Sequence, residues 1–171
     1  MKYREMAGER ISVLGFGCMR FPTTSKNAED IDAEKSAKML EYAIENGVNY
    51  FDTAYVYHGG KSESFIGGVL KPYRDKKHIA TKCPTWEVKC EEDFDRLLNE
   101  QLERLQTDYI DFYLMHALDK DRFKKVVEKF NLIDKLNKAK ADGKIRHIGF
   151  SFHDDVETLK KIIDANPNWE F

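Results

Sequence analysis

Three successive apolar segments of this 171-residue chain are followed by four side chains with complementary acid–base chemistry. They are, in chain order, Asp52, Tyr57, Lys82 and His116. An ammonium beside a phenol favours the phenolate and makes the phenol a better proton donor at neutral pH. A carboxylate would keep that ammonium charged and oriented, while a neutral imidazole could hold a carbonyl group. These residue types therefore predict an acid directed at a carbonyl oxygen.

A regular repeat predicts that these side chains meet. Five short apolar segments end at Cys18, Asp52, Lys82, His116 and Ser151, at intervals of 34, 30, 34 and 35 residues. Such an interval fits one strand plus one helix, and parallel (β/α) barrels take their catalytic groups from the carboxyl ends of several strands. Neighbouring strands are about 4.8 Å apart, so the side chains can converge. The repeat predicts an α/β fold, a partial TIM barrel of about five βα units.

The elements around these markers follow the same repeat. A hairpin is predicted over residues 3–13, followed by strands at 14–19, 50–52, 78–82, 109–116 and 145–151. Helices are predicted at 33–46, 62–70, 91–105, 123–141 and 156–165. We expect Ser62 to cap the second helix, and Asp154 or Asp155 to cap the fifth. No linker divides the units, so residues 1–171 are predicted to form one incomplete barrel domain without strands six to eight.

Composition limits the partners and the compartment. Lysine plus arginine (28) nearly balance aspartate plus glutamate (30), and the net charge of −2 provides no positive field for nucleic acid. No segment approaches the roughly 20 apolar residues that cross a bilayer, and the N-terminus has no export signal. We therefore expect a cytoplasmic protein that binds neither nucleic acid nor membranes. Cys18, Cys83 and Cys90 lack paired spacing and are expected to be reduced thiols, and no metal site is predicted.

The motifs around these residues resemble the aldo-keto reductase superfamily along the length of the chain. The matching motifs, in order, are Asp52-Thr-Ala with Tyr57, Ile79-Ala-Thr-Lys82, Asp111-Phe-Tyr-Leu-Met-His116 and Gly143-Lys-Ile-Arg-His-Ile-Gly-Phe-Ser151. The wording of residues 15–22, 58–62 and 149–155 is similar to a prokaryotic branch that often carries a C-terminal iron-sulfur, ferredoxin-like extension. That extension is expected to be absent, and the chain corresponds to the N-terminal portion of the family's barrel.

The resemblance implies reduction of an aldehyde or ketone by hydride from a nicotinamide cofactor, usually NADPH. By position, Tyr57 would be the general acid, Lys82 and Asp52 its tuning pair, and His116 the group that orients the carbonyl. Tyr55, two residues before the acid, has no such role by this resemblance.

The resemblance also implies part of a cofactor site. Ser151 falls where the family holds the nicotinamide carboxamide. Met19 and Arg20 would border the ribose and the substrate, and Asp52 is also expected to contact the cofactor. Phe152 follows Ser151 where the family often has asparagine, which removes one amide contact. The residues that grip the adenine end of NADP(H) normally come from strands six to eight, which are missing here.

Two functions remain open. The first is a carbonyl reductase that works only when another chain or the parent protein completes the barrel. The second is a catalytically silent half-barrel that self-associates or serves as an interaction module. Five rolled parallel strands leave two edges with unpaired backbone groups, so we expect a homo-oligomer or a complementing chain.

Overall fold

The computed structural model describes residues 1–171 and contains two sheets. An antiparallel hairpin of β1 (Tyr3–Met6) and β2 (Glu9–Ser12) precedes a five-stranded parallel sheet. The parallel strands, whose spatial order equals their chain order, are β3 (Phe16–Gly17), β4 (Tyr50–Asp52), β5 (His78–Cys83), β6 (Ile110–Leu118) and β7 (Ile145–Phe152). This order is that of successive βα units in a barrel, and the predicted α/β architecture is confirmed.

Helices follow the parallel strands along the chain. They are α1 (Ala33–Glu45), α2 (Lys61–Leu70), α3 (Glu92–Leu105), α4 (Lys120–Arg122), α5 (Leu132–Ala141) and α6 (Val156–Asp164). Shorter turns of 3₁₀ type cover Tyr57–Gly60, Lys71–Lys76 and Thr85–Glu87, and a π-helical turn covers Phe123–Glu128. The Asp155 side chain caps α6 by accepting a hydrogen bond from the Thr158 amide. Of the two predicted caps, Asp154 and Asp155, the second is confirmed. None of the helices has the length and apolar character needed to cross a membrane.

Two predicted helical details are wrong. The lysine-rich segment 123–141 is not one helix, because Asn131 has a φ of 51° and separates the π-helical turn from α5. That left-handed conformation interrupts a right-handed helix. Ser62 does not cap α2, which begins one residue earlier, after Gly60. The Ser62 hydroxyl instead donates to the Cys18 carbonyl at 3.0 Å and lies 2.8 Å from Thr53 Oγ1. It therefore ties the end of β3 to the loop after β4.

The pleat of the sheet sorts side chains between two cores. Phe51, Ile79 and Tyr113 belong to the large core between sheet and helices, while Ala80 and Phe112 form an inner core with the hairpin. Residues two apart on a strand share a face. The inner face also carries Tyr50 and His147, which pack on Phe112. Asp52 and Lys82 each follow an inner residue by two positions, and His116 and Ser151 each follow one by four. These four polar residues therefore share the inner face, at the carboxyl ends of their strands.

The two edges of the sheet differ. Beside β7, the Glu170 amide donates to the Ile148 carbonyl at 3.0 Å, and the Phe171 ring packs on Phe112 at 5.1 Å. Beside β3, an apolar groove of about 300 Å³ runs between the strand and α1. Leu14 and Tyr42 on this groove are 61% and 70% exposed. Residues of the chain itself thus cover part of the β7 edge, whereas the β3 edge presents apolar surface to solvent.

Candidate active site

The Lys82 ammonium is the centre of the polar cluster. Its side chain is 7% exposed, and Nζ lies 2.8 and 2.9 Å from the two carboxylate oxygens of Asp52. Nζ also donates to the Thr53 carbonyl at 2.6 Å. A buried charge is costly unless it is paired and hydrogen-bonded, and these contacts meet that requirement. Asp52, which ends β4, and Lys82 on neighbouring β5 therefore form an oriented ion pair at the strand ends.

The Tyr57 phenol lies against this ion pair. Tyr57 Oη is 3.5 Å from Lys82 Nζ, which lies 5.0 Å from the centre of the Tyr57 ring. Tyr57 follows β4 by five residues and begins a turn in which His58, Gly59 and Gly60 have φ values of 54°, 62° and 90°. This turn brings the chain back over the strand ends, so the phenol and the ammonium share one side of the sheet.

His116 forms the opposite side of the cluster. Its ring centre is 6.3 Å from that of Tyr57, with the two planes at 82°. Burial lowers the pKa of His116 to about 4, and the positive charges of Lys82 and Arg122 act in the same direction. His116 is therefore neutral at pH 7, and its Nδ1 is buried without a hydrogen-bond partner in the chain. A neutral imidazole can orient a carbonyl group without adding a second positive charge.

The lowered pKa of His116 predicts a measurable pH dependence of folding stability. The native pKa lies below the unfolded value of about 6.5, so the unfolded state takes up more protons between about pH 6.5 and 4. Stability therefore falls as pH falls through this window. The full shift corresponds to about 3 kcal/mol, and solvent screening of this partly exposed ring reduces the expected loss to about 1–2 kcal/mol.

Urea denaturation of wild type and His116→Gln at about pH 7 and pH 4.5 measures this term, because all other titrating groups are common to both proteins. The wild type should lose about 1–2 kcal/mol more than the variant on acidification. Equal losses in the two proteins would show that His116 does not titrate as described.

A cleft of about 630 Å³ opens over this cluster. Tyr57 and His116 line it together with Met19, Ala28, Val56, His58, Gly59 and His153. Its size falls in the usual range for small-molecule sites, which are concave and carry a few polar groups that fix orientation. The phenol and the imidazole thus face a space that a small carbonyl compound can enter.

The remaining predicted residues lie at the same carboxyl end of the sheet. Met19 lines the cleft and is 53% exposed, and Arg20 beside it is exposed. The Ser151 Oγ accepts from the Ala117 amide at 2.7 Å, so its own hydrogen stays free for donation. A free hydroxyl hydrogen on Ser151 can donate to an amide oxygen, and the flexible thioether of Met19 can pack against a ring, as a nicotinamide requires. These two side chains are chemically compatible with the nicotinamide end of a dinucleotide.

Two functional neighbours were missed in the sequence. The Trp86 ring lies with its centre 5.0 Å from that of the His116 ring and packs beside it. Its position four residues after Lys82 was the one indication in the sequence. His58, which directly follows Tyr57 in the chain, is buried. Tyr55 points elsewhere, because its hydroxyl donates to the Glu100 carboxylate on α3. It therefore takes no part in the cluster.

The two cysteines nearest the site are poor nucleophiles. Cys18 and Cys83 are buried, and Cys90 is exposed; all three are free. Burial raises the pKa of Cys83 to about 12, and burial also raises the pKa of Cys18. Because the thiolate is the reactive form, the two cysteines nearest the site are protonated at neutral pH.

This fold and site define a class of protein, a parallel (β/α) barrel type with a phenol, ammonium, carboxylate and imidazole at the strand ends. The model of the Aldo/keto reductase family matches residues 13–170. The chain therefore belongs to the aldo/keto reductase family, as the motifs indicated.

Similar proteins carry the same description. "Probable aldo-keto reductase 1" of Glycine max is 31% identical over 153 residues, which are 84% of this chain and 42% of that protein. The structure of aldo-keto reductase AKR11C1 from Bacillus halodurans (holo form) matches 96% of this chain and 54% of its own, with a TM-score of 0.79 and 29% identity. A Klebsiella pneumoniae aldo-keto reductase in complex with NADPH matches the same shares, with a TM-score of 0.74 and 25% identity. The chain spans less than half the length of the Glycine max relative and about half the length of the two solved structures.

Proposed function

We propose that this chain carries the proton-donating site of a reductase that converts an aldehyde or ketone into an alcohol at the expense of NADPH. The observation that carries the proposal is the contact of Tyr57 with the Asp52–Lys82 ion pair, opposite a neutral His116. This group of four supplies an acid, its activating charge, the anchor of that charge and a neutral orienting group. Family membership supports the reaction class.

The chain's own residues account for the proton half of the reaction. The carbonyl oxygen binds between Tyr57 Oη and the His116 ring, and Tyr57 donates its proton to that oxygen. The Lys82 ammonium stabilises the phenolate that remains, and the Asp52 carboxylate holds Lys82 in place. NADPH, when bound, supplies the hydride that adds to the carbonyl carbon. The balanced products are an alcohol and NADP⁺, and water returns the proton to Tyr57.

The proposed cofactor is NADP(H), held by Ser151 at the carboxamide and bordered by Met19, Arg20 and Asp52. The NADPH complex of the Klebsiella pneumoniae relative supports this choice. Residues that grip the adenine end are proposed to come from βα units outside this chain.

We further propose that residues 1–171 form one incomplete barrel domain, which works when another chain or the parent protein completes it. Completion would pair the open edge of β3, and it would cover the apolar groove where Leu14 and Tyr42 are exposed. The same groove favours the second candidate function, a catalytically silent half-barrel that associates with itself or with a partner. The two candidates differ in whether NADPH binds once the barrel is closed.

A dinucleotide titration combined with light scattering tests this proposal. The chain alone and a fusion of it to the C-terminal half of the Bacillus halodurans enzyme are titrated with NADPH, and cofactor fluorescence is followed. We expect saturable binding and turnover of an aldehyde panel for the fusion, and association without turnover for the chain alone. A folded, monomeric fusion that leaves NADPH fluorescence unchanged would refute the reductase and support the silent module.

A further inference from the structure

The buried imidazole of His58 connects two loops at the mouth of the cleft. The Phe21 amide donates to His58 Nε2 at 3.0 Å, so Nε2 is the nitrogen without hydrogen. His58 Nδ1 therefore carries the hydrogen and donates to the Ala28 carbonyl at 2.5 Å. The His58 ring also packs on Phe21, with the ring centres 5.6 Å apart. One side chain that is 7% exposed thus satisfies both its nitrogens on the loop between β3 and α1.

This loop forms one wall of the cleft. Met19 and Ala28 belong to it and line the cleft opposite His116. The loop has little regular structure of its own, with one isolated bridge between Thr23 and Ile31. Phe21 anchors the loop in the large core, and His58 adds two hydrogen bonds from the neighbouring turn.

The backbone of His58 forms the turn that directs Tyr57. His58 has a φ of 54°, a left-handed conformation that is uncommon in residues other than glycine and enriched in histidine and asparagine. A side chain at the next residue, Gly59, would lie 2.4 Å from Glu29 Cγ, so the turn and the loop are in close contact. The loop contacts and the turn conformation are thus coupled through one residue.

We propose that His58 is a positioning residue, which fixes the Tyr57 phenol beside Lys82 and the wall of the substrate cleft through the same imidazole. The inference rests on the proposed role of Tyr57, and it assigns to His58 a task beyond loop stability. Its loss would move the acid and open the cleft together.

Amide exchange and aromatic NMR of the chain test the inference without cofactor or carbonyl compound, so the result is independent of any turnover. His58→Asn keeps a residue that tolerates the left-handed conformation, but its shorter carboxamide cannot reach both Phe21 and Ala28. We expect exchange of the Phe21 amide to become at least about tenfold faster, because a buried donor loses its acceptor. The Tyr57 ring resonances, assigned by their loss in Tyr57→Phe, should shift.

Lys61→Ala is the matched control. It removes the exposed Lys61–Glu29 ion pair, 3.4 Å long, across the same contact. Exposed pairs contribute little, so both readouts should stay at wild-type values. Unchanged Phe21 exchange in His58→Asn, or Tyr57 resonances that do not shift, would overturn the proposal. Should the variant fail to fold, the ¹⁵N shifts of wild-type His58 decide, because a hydrogen on Nε2 instead of Nδ1 contradicts the connection described.

Discussion

Tyr57→Phe should lower kcat for carbonyl reduction by about 10²- to 10⁴-fold in the completed reductase, the range that general acid catalysis contributes. The variant keeps the ring that packs against Lys82 and His116 and removes only the oxygen 3.5 Å from Lys82 Nζ. NADPH affinity and folding stability should therefore change little. The measurement is steady-state turnover of the fusion protein, with NADPH titration and urea denaturation alongside.

Tyr55→Phe is the control for this prediction. Tyr55 lies two residues away, but its hydroxyl donates to Glu100 and the Arg104 guanidinium packs over its ring at 4.2 Å. Its loss should leave kcat within about twofold of wild type, since surface changes away from the site are usually small. Equal losses in the two variants would mean that Tyr57 acts through folding, and full activity of Tyr57→Phe would remove it as the acid.

The positions of the chemical groups could be predicted because parallel strands impose a short-range rule. Side chains alternate between the two faces, and each repeat returns the chain to the same end of the sheet. Apolar residues before Asp52, Lys82 and His116 therefore indicate both the strand and its end. The helices α1 and α3 were equally accessible, because their apolar residues recur with helical periodicity.

The loops could not be predicted in the same way. The bond from the Phe21 amide to His58 joins residues 37 apart and leaves no periodic signal in the sequence. Trp86 was overlooked because its contact with His116 depends on the conformation of the turn after β5. The break at Asn131 depends on a single left-handed residue inside an otherwise helical pattern, and an asparagine permits that conformation without requiring it. The sequence thus predicted the polar residues at the strand ends, whereas non-local contacts determine the loops that line the cleft.

A buried carboxylate behind Lys82 shows how the frame holds the site. Glu63 on α2 is fully buried on the helix side of the sheet, and it accepts hydrogen bonds from Thr81 Oγ1 at 2.6 Å and Gln101 Nε2 at 2.6 Å. Arg104 Nη1 lies 3.3 Å from the second oxygen of Glu63. Gln101 Nε2 also donates to the Lys82 carbonyl at 3.0 Å. Burial raises the pKa of the Glu63 carboxyl, while these donors oppose the shift.

Glu63→Leu should lower the free energy of unfolding by about 3–5 kcal/mol, because it removes the acceptor of the buried Thr81 hydroxyl and one of the two carboxylates that pair with Arg104. Glu63→Gln retains an acceptor oxygen for Thr81, and Arg104 keeps its ion pair with Glu100. We expect this variant to lose only about 1–2 kcal/mol. Urea denaturation at constant pH measures both. Equal losses would mean that the charge of Glu63, not its hydrogen bonds, stabilises the fold. No loss in Glu63→Leu would mean that apolar packing alone holds α2 and α3 on β5.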